Sequence, residues 1–193
     1  MTGIKSLEIN QITKLLKAGK IGVIPTDTIY GIVGSALNPE IVEQIYKLRK
    51  RALDKPMIIL ISSIKDLDKF DIKLSDKQKK FLEKNWPNSL SVILSVTDEK
   101  WEYLHRGTKT LAFRIPKEKS LLELLKQTDP LVAPSANFEG EKPAETIAGA
   151  KKYFGNNISF YIDGGIFSSI PSTIVELNEK GEAKVLRQGE YKV

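Results

Sequence analysis

Ile21-Gly22-Val23-Ile24-Pro25-Thr26-Asp27-Thr28-Ile29-Tyr30-Gly31 starts as an apolar run and turns abruptly into proline, hydroxyl and carboxylate side chains. Leu131-Val132-Ala133-Pro134-Ser135-Ala136-Asn137 does the same far along the chain. Short, continuous apolar runs of this kind read as buried strands, here Ile21 to Ile24 and Leu131 to Ala133. Small polar groups at the ends of buried strands are well placed to hold a ligand, because a rigid sheet fixes them.

Further apolar runs predict strands at Met57–Ile61, Val92–Val96, Leu111–Ile115, Ile158–Ile162, Thr173–Leu177 and Ala183–Leu186. Helical spacing of Ile12, Leu15 and Leu16 predicts a first helix ending before Gly19. Pro39 opens a second helix through Ile41, Val42, Ile45, Tyr46 and Leu48. Ser75-Asp76-Lys77-Gln78 is a capping-box pattern, Leu121–Leu125 is helical, and Pro143 starts a helix through Ile147 and Tyr153 that ends near Gly155. The alternation defines the fold class as α/β. A single domain over residues 1–193 is expected, with a twisted mixed β-sheet flanked by helices and no further domain after Gln188.

A chain of 193 residues is long enough for one such core. It contains no cysteine, which excludes disulfides and thiolate metal sites, and its single histidine, His105, cannot build a His-rich one. His105 lies in an irregular polar stretch and reads as a solvated loop residue. No apolar run is long enough to span a bilayer and no signal-peptide pattern opens the chain, so a cytoplasmic location and no membrane partner are expected. The formal net charge of +6 points to nucleotides or polyanions as partners.

Phosphate-binding glycine loops of the GxxxxGK[ST] and GxGxxG types are absent, as is a GxSxG elbow. Taken alone, turn chemistry accounts for Thr26 and Thr28, and an N-cap or Asx turn accounts for Ser135 and Asn137. The basic run Lys47-Leu48-Arg49-Lys50-Arg51 is in part a solvated helix end. Arg51 and Lys55 fall outside that account, since Asp54-Lys55-Pro56 already leads into a buried strand. Arg114 interrupts the apolar strand Leu111–Ile115, where an unpaired charge is costly. It is either half of a structural ion pair or a clamp for a carboxylate or phosphate.

Six ordered segments, PTDTIYG from Pro25, RKRALDKPM from Arg49, LAFRIP from Leu111, APSANFEGEKPAET from Ala133, PSTIVEL from Pro171 and LRQG from Leu186, resemble the YrdC family of threonylcarbamoyl-AMP synthases. The family's KxR…SxN signature corresponds to Arg49-Lys50-Arg51, with arginine for its lysine, and to Ser135-Ala136-Asn137. The resemblance implies a YrdC-like fold around a basic concave cavity. It implies an enzyme, a nucleotidyltransferase that makes L-threonylcarbamoyladenylate and pyrophosphate from L-threonine, bicarbonate and ATP. The product serves N6-threonylcarbamoyladenosine formation at position 37 of tRNA, with downstream transfer proteins as partners and Mg²⁺ entering with ATP rather than in a protein metal site. By motif position Arg51 and Lys55 meet the ATP phosphates with Arg49 assisting. Ser135, Asn137 and Arg187 hold the nucleotide, with Thr110 as a further contact. Arg114 clamps the threonine carboxylate, and Thr28, Thr26 and Ser172 recognise the rest of the amino acid. The two polar strand ends then form opposite walls of one cavity. The competing reading is a non-catalytic YrdC-like paralogue that binds tRNA or double-stranded RNA. A third is a carbamoyl-adenylate enzyme that uses carbamoyl phosphate.

Overall fold

The computed structural model describes residues 4–167 and 170–193. Along them run α1 (Ser6–Lys17), β1 (Gly22–Pro25), β2 (Tyr30–Ser35), α2 (Pro39–Arg49), β3 (Ile58–Leu60), α3 (Asp76–Asn85), β4 (Leu90–Ser95), α4 (Glu102–His105), β5 (Thr110–Arg114), α5 (Lys119–Gln127), β6 (Leu131–Val132), α6 (Ile147–Phe154), β7 (Phe160–Tyr161), β8 (Thr173–Leu177) and β9 (Ala183–Arg187). The strands form one mixed open sheet in the order β7-β1-β2-β6-β3-β5-β4-β8-β9. Three pairs are parallel (β1·β7, β3·β5, β4·β8) and the other five are antiparallel.

Sequence chemistry sets the element ends. Asn38 caps α2 by accepting from the Glu40 and Ile41 N–H groups at 3.0 and 3.3 Å, and Pro39 supplies the first helical residue. Ser75 and Gln78 form the expected capping box of α3. The helix expected from Pro143 begins instead at Ile147, because Thr146 caps it by accepting from Gly149 N–H at 3.1 Å. The strand β2 is an element the apolar runs did not mark. Its sequence, Tyr-Gly-Ile-Val-Gly-Ser, carries two glycines, which dilute the strand signal. Gly34 is there for packing: a Cβ on it would lie 2.4 Å from Ile41 Cγ2, so α2 rests directly on β2.

Both faces of the sheet are covered, but unequally. On one face Ile41, Val42, Ile45 and Tyr46 of α2, Leu82 of α3, Leu104 of α4 and Phe154 of α6 pack with Ile32, Ile59, Val92, Phe113 and Val175. On the other face Ile9, Ile12 and Leu16 of α1 and Leu121, Leu124 and Leu125 of α5 pack with Ile24, Val33, Leu60 and Leu131. Successive strand residues point to opposite faces, so Ile58 shares the α1–α5 face with Leu60. Through the parallel β3–β5 register, Ala112 and Arg114 lie beside them. Past α1 and α5 this face bears Thr110, Ala112, Arg114 and Ser172 beside Ile174, and no helix among the described residues packs over it. It is open there, and it lines a cavity.

Candidate active site

The cavity has a volume of about 360 Å³ and runs from the β1–β2 turn across the sheet to β9. Its apolar floor includes Met57, Ile58, Ile93, Ala112 and Ile174, and its polar lining includes Thr26, Thr28, Ser135, Thr108, Thr110 and Ser172. Arg49, Arg51, Arg114 and Arg187 also line it, and no carboxylate is among its lining residues in the described part of the chain. Of the residues singled out by sequence, Lys55 and Asn137 are outside this lining.

The two polar strand ends are neighbours rather than facing walls. Ile32 N–H donates to Pro134 O at 3.0 Å and Ala136 N–H to Tyr30 O at 2.9 Å, so Gly31 and Ser135 form an antiparallel bridge. Pairing of β2 with β6 carries one motif onto the other. The facing wall comes from β5, β8 and β9.

The strand does not continue through Thr26 and Thr28; it stops at Pro25 and turns. Thr26 Oγ1 donates to Ile29 O at 2.6 Å and accepts from Ile29 N–H at 3.2 Å and Thr28 N–H at 3.3 Å. Its hydroxyl is thus committed to the turn. Thr28 Oγ1 is 3.3 Å from Thr26 Oγ1 and is the one left to face a ligand.

Arg49, at the C-terminal end of α2, is buried, and its guanidinium grips the other loop. Nε donates to Asn137 O at 3.1 Å, and Nη2 to Ser135 Oγ at 3.2 Å and Asn137 Oδ1 at 3.3 Å. The Asn137 amide donates in turn to Phe138 O and Glu141 O. Asn137 is therefore a brace behind the loop, and Ser135 is the member that reaches the cavity. Arg51 donates from Nε to Lys55 O at 2.9 Å and from Nη2 to Pro56 O at 3.0 Å, which closes the loop between α2 and β3. Lys55 is paired with Glu139 at 2.7 Å.

At the other end Arg114 Nη2 lies 3.0 Å from Asp27 Oδ1, with both side chains buried. Both readings of Arg114 hold: it is half of an ion pair and it lines the cavity. Arg187 donates from Nε and Nη2 to Ser172 O at 3.2 and 2.7 Å, and Ser172 Oγ is 3.0 Å from Ser91 Oγ. Asp27 is thus paired with Arg114, while Arg187 is bonded to Ser172.

The electrostatics favour an anion. Burial, followed by the nearby Arg51 charge, lowers the Arg49 pKa to about 10. Burial, and then Arg114, lowers that of Arg187. Arg49 Nη1 and Arg114 Nε are buried donors with no hydrogen-bond partner. Orphaned buried N–H groups on cations are costly, and an incoming carboxylate or phosphate would satisfy them.

His105 is not a solvated loop residue. It ends α4, is 4% exposed, and accepts from Gly107 N–H at Nδ1. It is not in the cavity lining. Sequence reasoning missed Asp27 as the partner of Arg114, Glu139 as the partner of Lys55, and Thr108 beside Thr110. The only available signal for Asp27 was its place between two threonines of the first polar stretch.

A family model described as "Telomere recombination" (Sua5_yciO_yrdC) matches residues 14–189. The threonylcarbamoyl-AMP synthase of Pyrococcus abyssi is 30% identical over 180 residues, covering 91% of this chain and 52% of that protein. The putative threonylcarbamoyl-AMP synthase of Mycobacterium tuberculosis H37Rv is 30% identical over 176 residues, covering 90% of this chain and 80% of that one. A crystal structure of Pyrococcus abyssi Sua5 complexed with L-threonine superposes with a TM-score of 0.85 at 27% identity, covering 96% of this chain and 55% of that one. The chain thus spans about half the length of the Pyrococcus relative. Among the described residues no helix is long and apolar enough to cross a membrane.

Proposed function

The chain belongs to the Sua5–YciO–YrdC family, and from that premise we propose that it forms L-threonylcarbamoyladenylate and pyrophosphate from L-threonine, bicarbonate and ATP, for threonylcarbamoylation of tRNA. The observation that carries this reading is the cavity lined by four arginines, Arg49 and Arg51 toward one end and Arg114 and Arg187 toward the other. Two separate cationic ends suit a substrate pair with a carboxylate at one end and phosphates at the other.

In this reading the threonine carboxylate meets Arg114 and Arg187, with Thr28 and Ser172 beside the amino acid. The triphosphate meets Arg51 and Arg49. The base lies over the apolar floor near Thr110 and Ser135. The threonine amine captures bicarbonate as a carbamate with loss of water, and a carbamate oxygen attacks the α-phosphorus while pyrophosphate leaves. This step requires no protein nucleophile; it requires alignment and neutralised charge, which fixed guanidinium groups supply. Mg²⁺ carried by the nucleotide would add to that neutralisation. The acidic side chains nearest these cations, Asp27 and Glu139, are already engaged with Arg114 and Lys55.

The test is pyrophosphate release with product mass. Release that requires threonine, bicarbonate and ATP together, with threonylcarbamoyladenylate as product, supports the reading. Release indifferent to threonine or bicarbonate overturns it, and a product formed only from carbamoyl phosphate moves the protein to the third reading. Arg51→Ala and Arg114→Ala are each expected to lower kcat/KM about 10- to 100-fold, as loss of a charge-assisted hydrogen bond implies.

A further inference from the structure

One carboxylate joins the two loops that carry the phosphate-binding end of the cavity. Glu139 follows the Ser135–Asn137 segment. Its backbone N–H donates to Arg49 O at 2.9 Å, its Oε2 accepts from Ala52 N–H, and its Oε1 receives Lys55 Nζ at 2.7 Å. Beside it, Lys50 Nζ sits 4.3 Å from the centre of the Phe138 ring. Apart from these contacts, the loop from Arg51 to Lys55 is held mainly by Tyr46 Oη and Arg51 Nε, both donating to Lys55 O, and by Arg51 Nη2 on Pro56 O. Leu53, at its tip, is 59% exposed.

Lys55 is consequently turned toward Glu139 and is outside the cavity lining. The field of Glu139 extends further. It favours the charged form of Arg49, and the Arg51 charge in turn helps to hold the Glu139 carboxyl below its usual range, after the larger effects of Lys55 and the Ala52 N–H. A single carboxylate thus balances a cluster of cations whose natural partner is an anion.

We propose that Glu139 is a positioning residue that acts as an internal stand-in for phosphate. It holds the Arg49–Lys55 loop in register and yields Lys55 to a phosphate group when the nucleotide enters. This rests on the nucleotide reading above. No covalent step is involved: one ion pair is exchanged for another, while the backbone bond to Arg49 is kept.

The test is ATP binding to the full chain by calorimetry at fixed ionic strength, with the unchanged protein, Glu139→Gln, Lys55→Met and the double variant. Glutamine keeps an oxygen for the Ala52 N–H but gives Lys55 no charge. Glu139→Gln is expected to bind ATP about two- to fivefold more tightly, the range set by breaking one exposed ion pair. Its threonine affinity should be unchanged. Lys55→Met should cost more in the Glu139→Gln background than in the unchanged protein, a coupling that a merely structural role would not produce. Should Glu139→Gln not fold, Glu139→Ser removes the same charge. ATP affinity equal to or weaker than that of the unchanged protein, with the same Lys55→Met cost in both backgrounds, overturns the exchange and leaves the nucleotide reading standing. Failure of the unchanged protein to bind ATP overturns both.

Discussion

Arg114 and Asp27 stand 3.0 Å apart with both side chains buried, one on β5 and the other in the β1–β2 turn. Removing one partner of such a pair leaves an uncompensated charge, whereas replacing both leaves none. Asp27→Asn is therefore expected to cost about 3–5 kcal/mol in urea unfolding. The double variant Asp27→Asn/Arg114→Met should recover much of that loss; a cost unchanged in the double variant would count against the pair. Arg49 poses a different problem, since its fork makes three bonds to Ser135 and Asn137. Arg49→Lys keeps the charge but has no planar fork. It should lose about 1–2 kcal/mol of stability and raise the KM for ATP more than that for threonine, in steady-state kinetics. Arg114 was legible in the sequence as a charge in an apolar strand, and Arg49 as a member of a basic run. Their partners were not, because Asp27 and Asn137 reach them across long sequence separations that no local pattern encodes.

Among the elements, the turn after β9 sets how β8 presents Ser172. A Cβ at Gly189 would lie 2.1 Å from Pro171 O and 2.5 Å from Ser172 C, both backbone atoms that cannot move alone. Gly189→Ala should therefore push the start of β8 away from Arg187. We expect a loss of about 1–3 kcal/mol, as in overpacked cores, with threonine affinity falling more than ATP affinity in binding titrations. The 3₁₀ turn Ile64–Phe70 offers a pH test. Burial raises the Asp66 pKa, but bonds donated by Ser62 Oγ at 2.7 Å and Ser62 N–H at 2.9 Å, with the charge of Lys69, outweigh it and leave the pKa lowered. The carboxylate thus stabilises the fold above the unfolded-state pKa of about 4, and that contribution is lost as pH falls through the lower folded value. Asp66→Asn should be less stable than the unchanged protein by about 1 kcal/mol at pH 7, and the gap in urea midpoint should narrow below pH 4. Strands rich in β-branched residues, such as Thr173–Leu177, were readable to the residue. The hairpin strand Tyr30–Ser35 and the short helix ending in His105 were not, because glycine in the first and polar residues in the second mask what tertiary packing imposes.

For the whole molecule, the class of fold followed from alternating patterns, and the six ordered motifs named the family. The order of strands could not be read from them. It places β1 beside β7, and it brings the Thr28 turn and the Ser135 loop together on one wall of the cavity. Nothing local in either stretch says that they are neighbours. That order has a consequence for synthesis of the chain. The β1 strand hydrogen-bonds to residues 160–161, and the cavity is incomplete without Ser172 and Arg187. At about 5–20 residues per second, the first strand emerges roughly ten to thirty seconds before the last arginine. A chain truncated before residue 158, which lacks β7 as well as β8 and β9, should remain open to protease along β1, whereas the 193-residue chain should resist it. The cavity therefore comes into being late, only once β8 and β9 have joined the sheet.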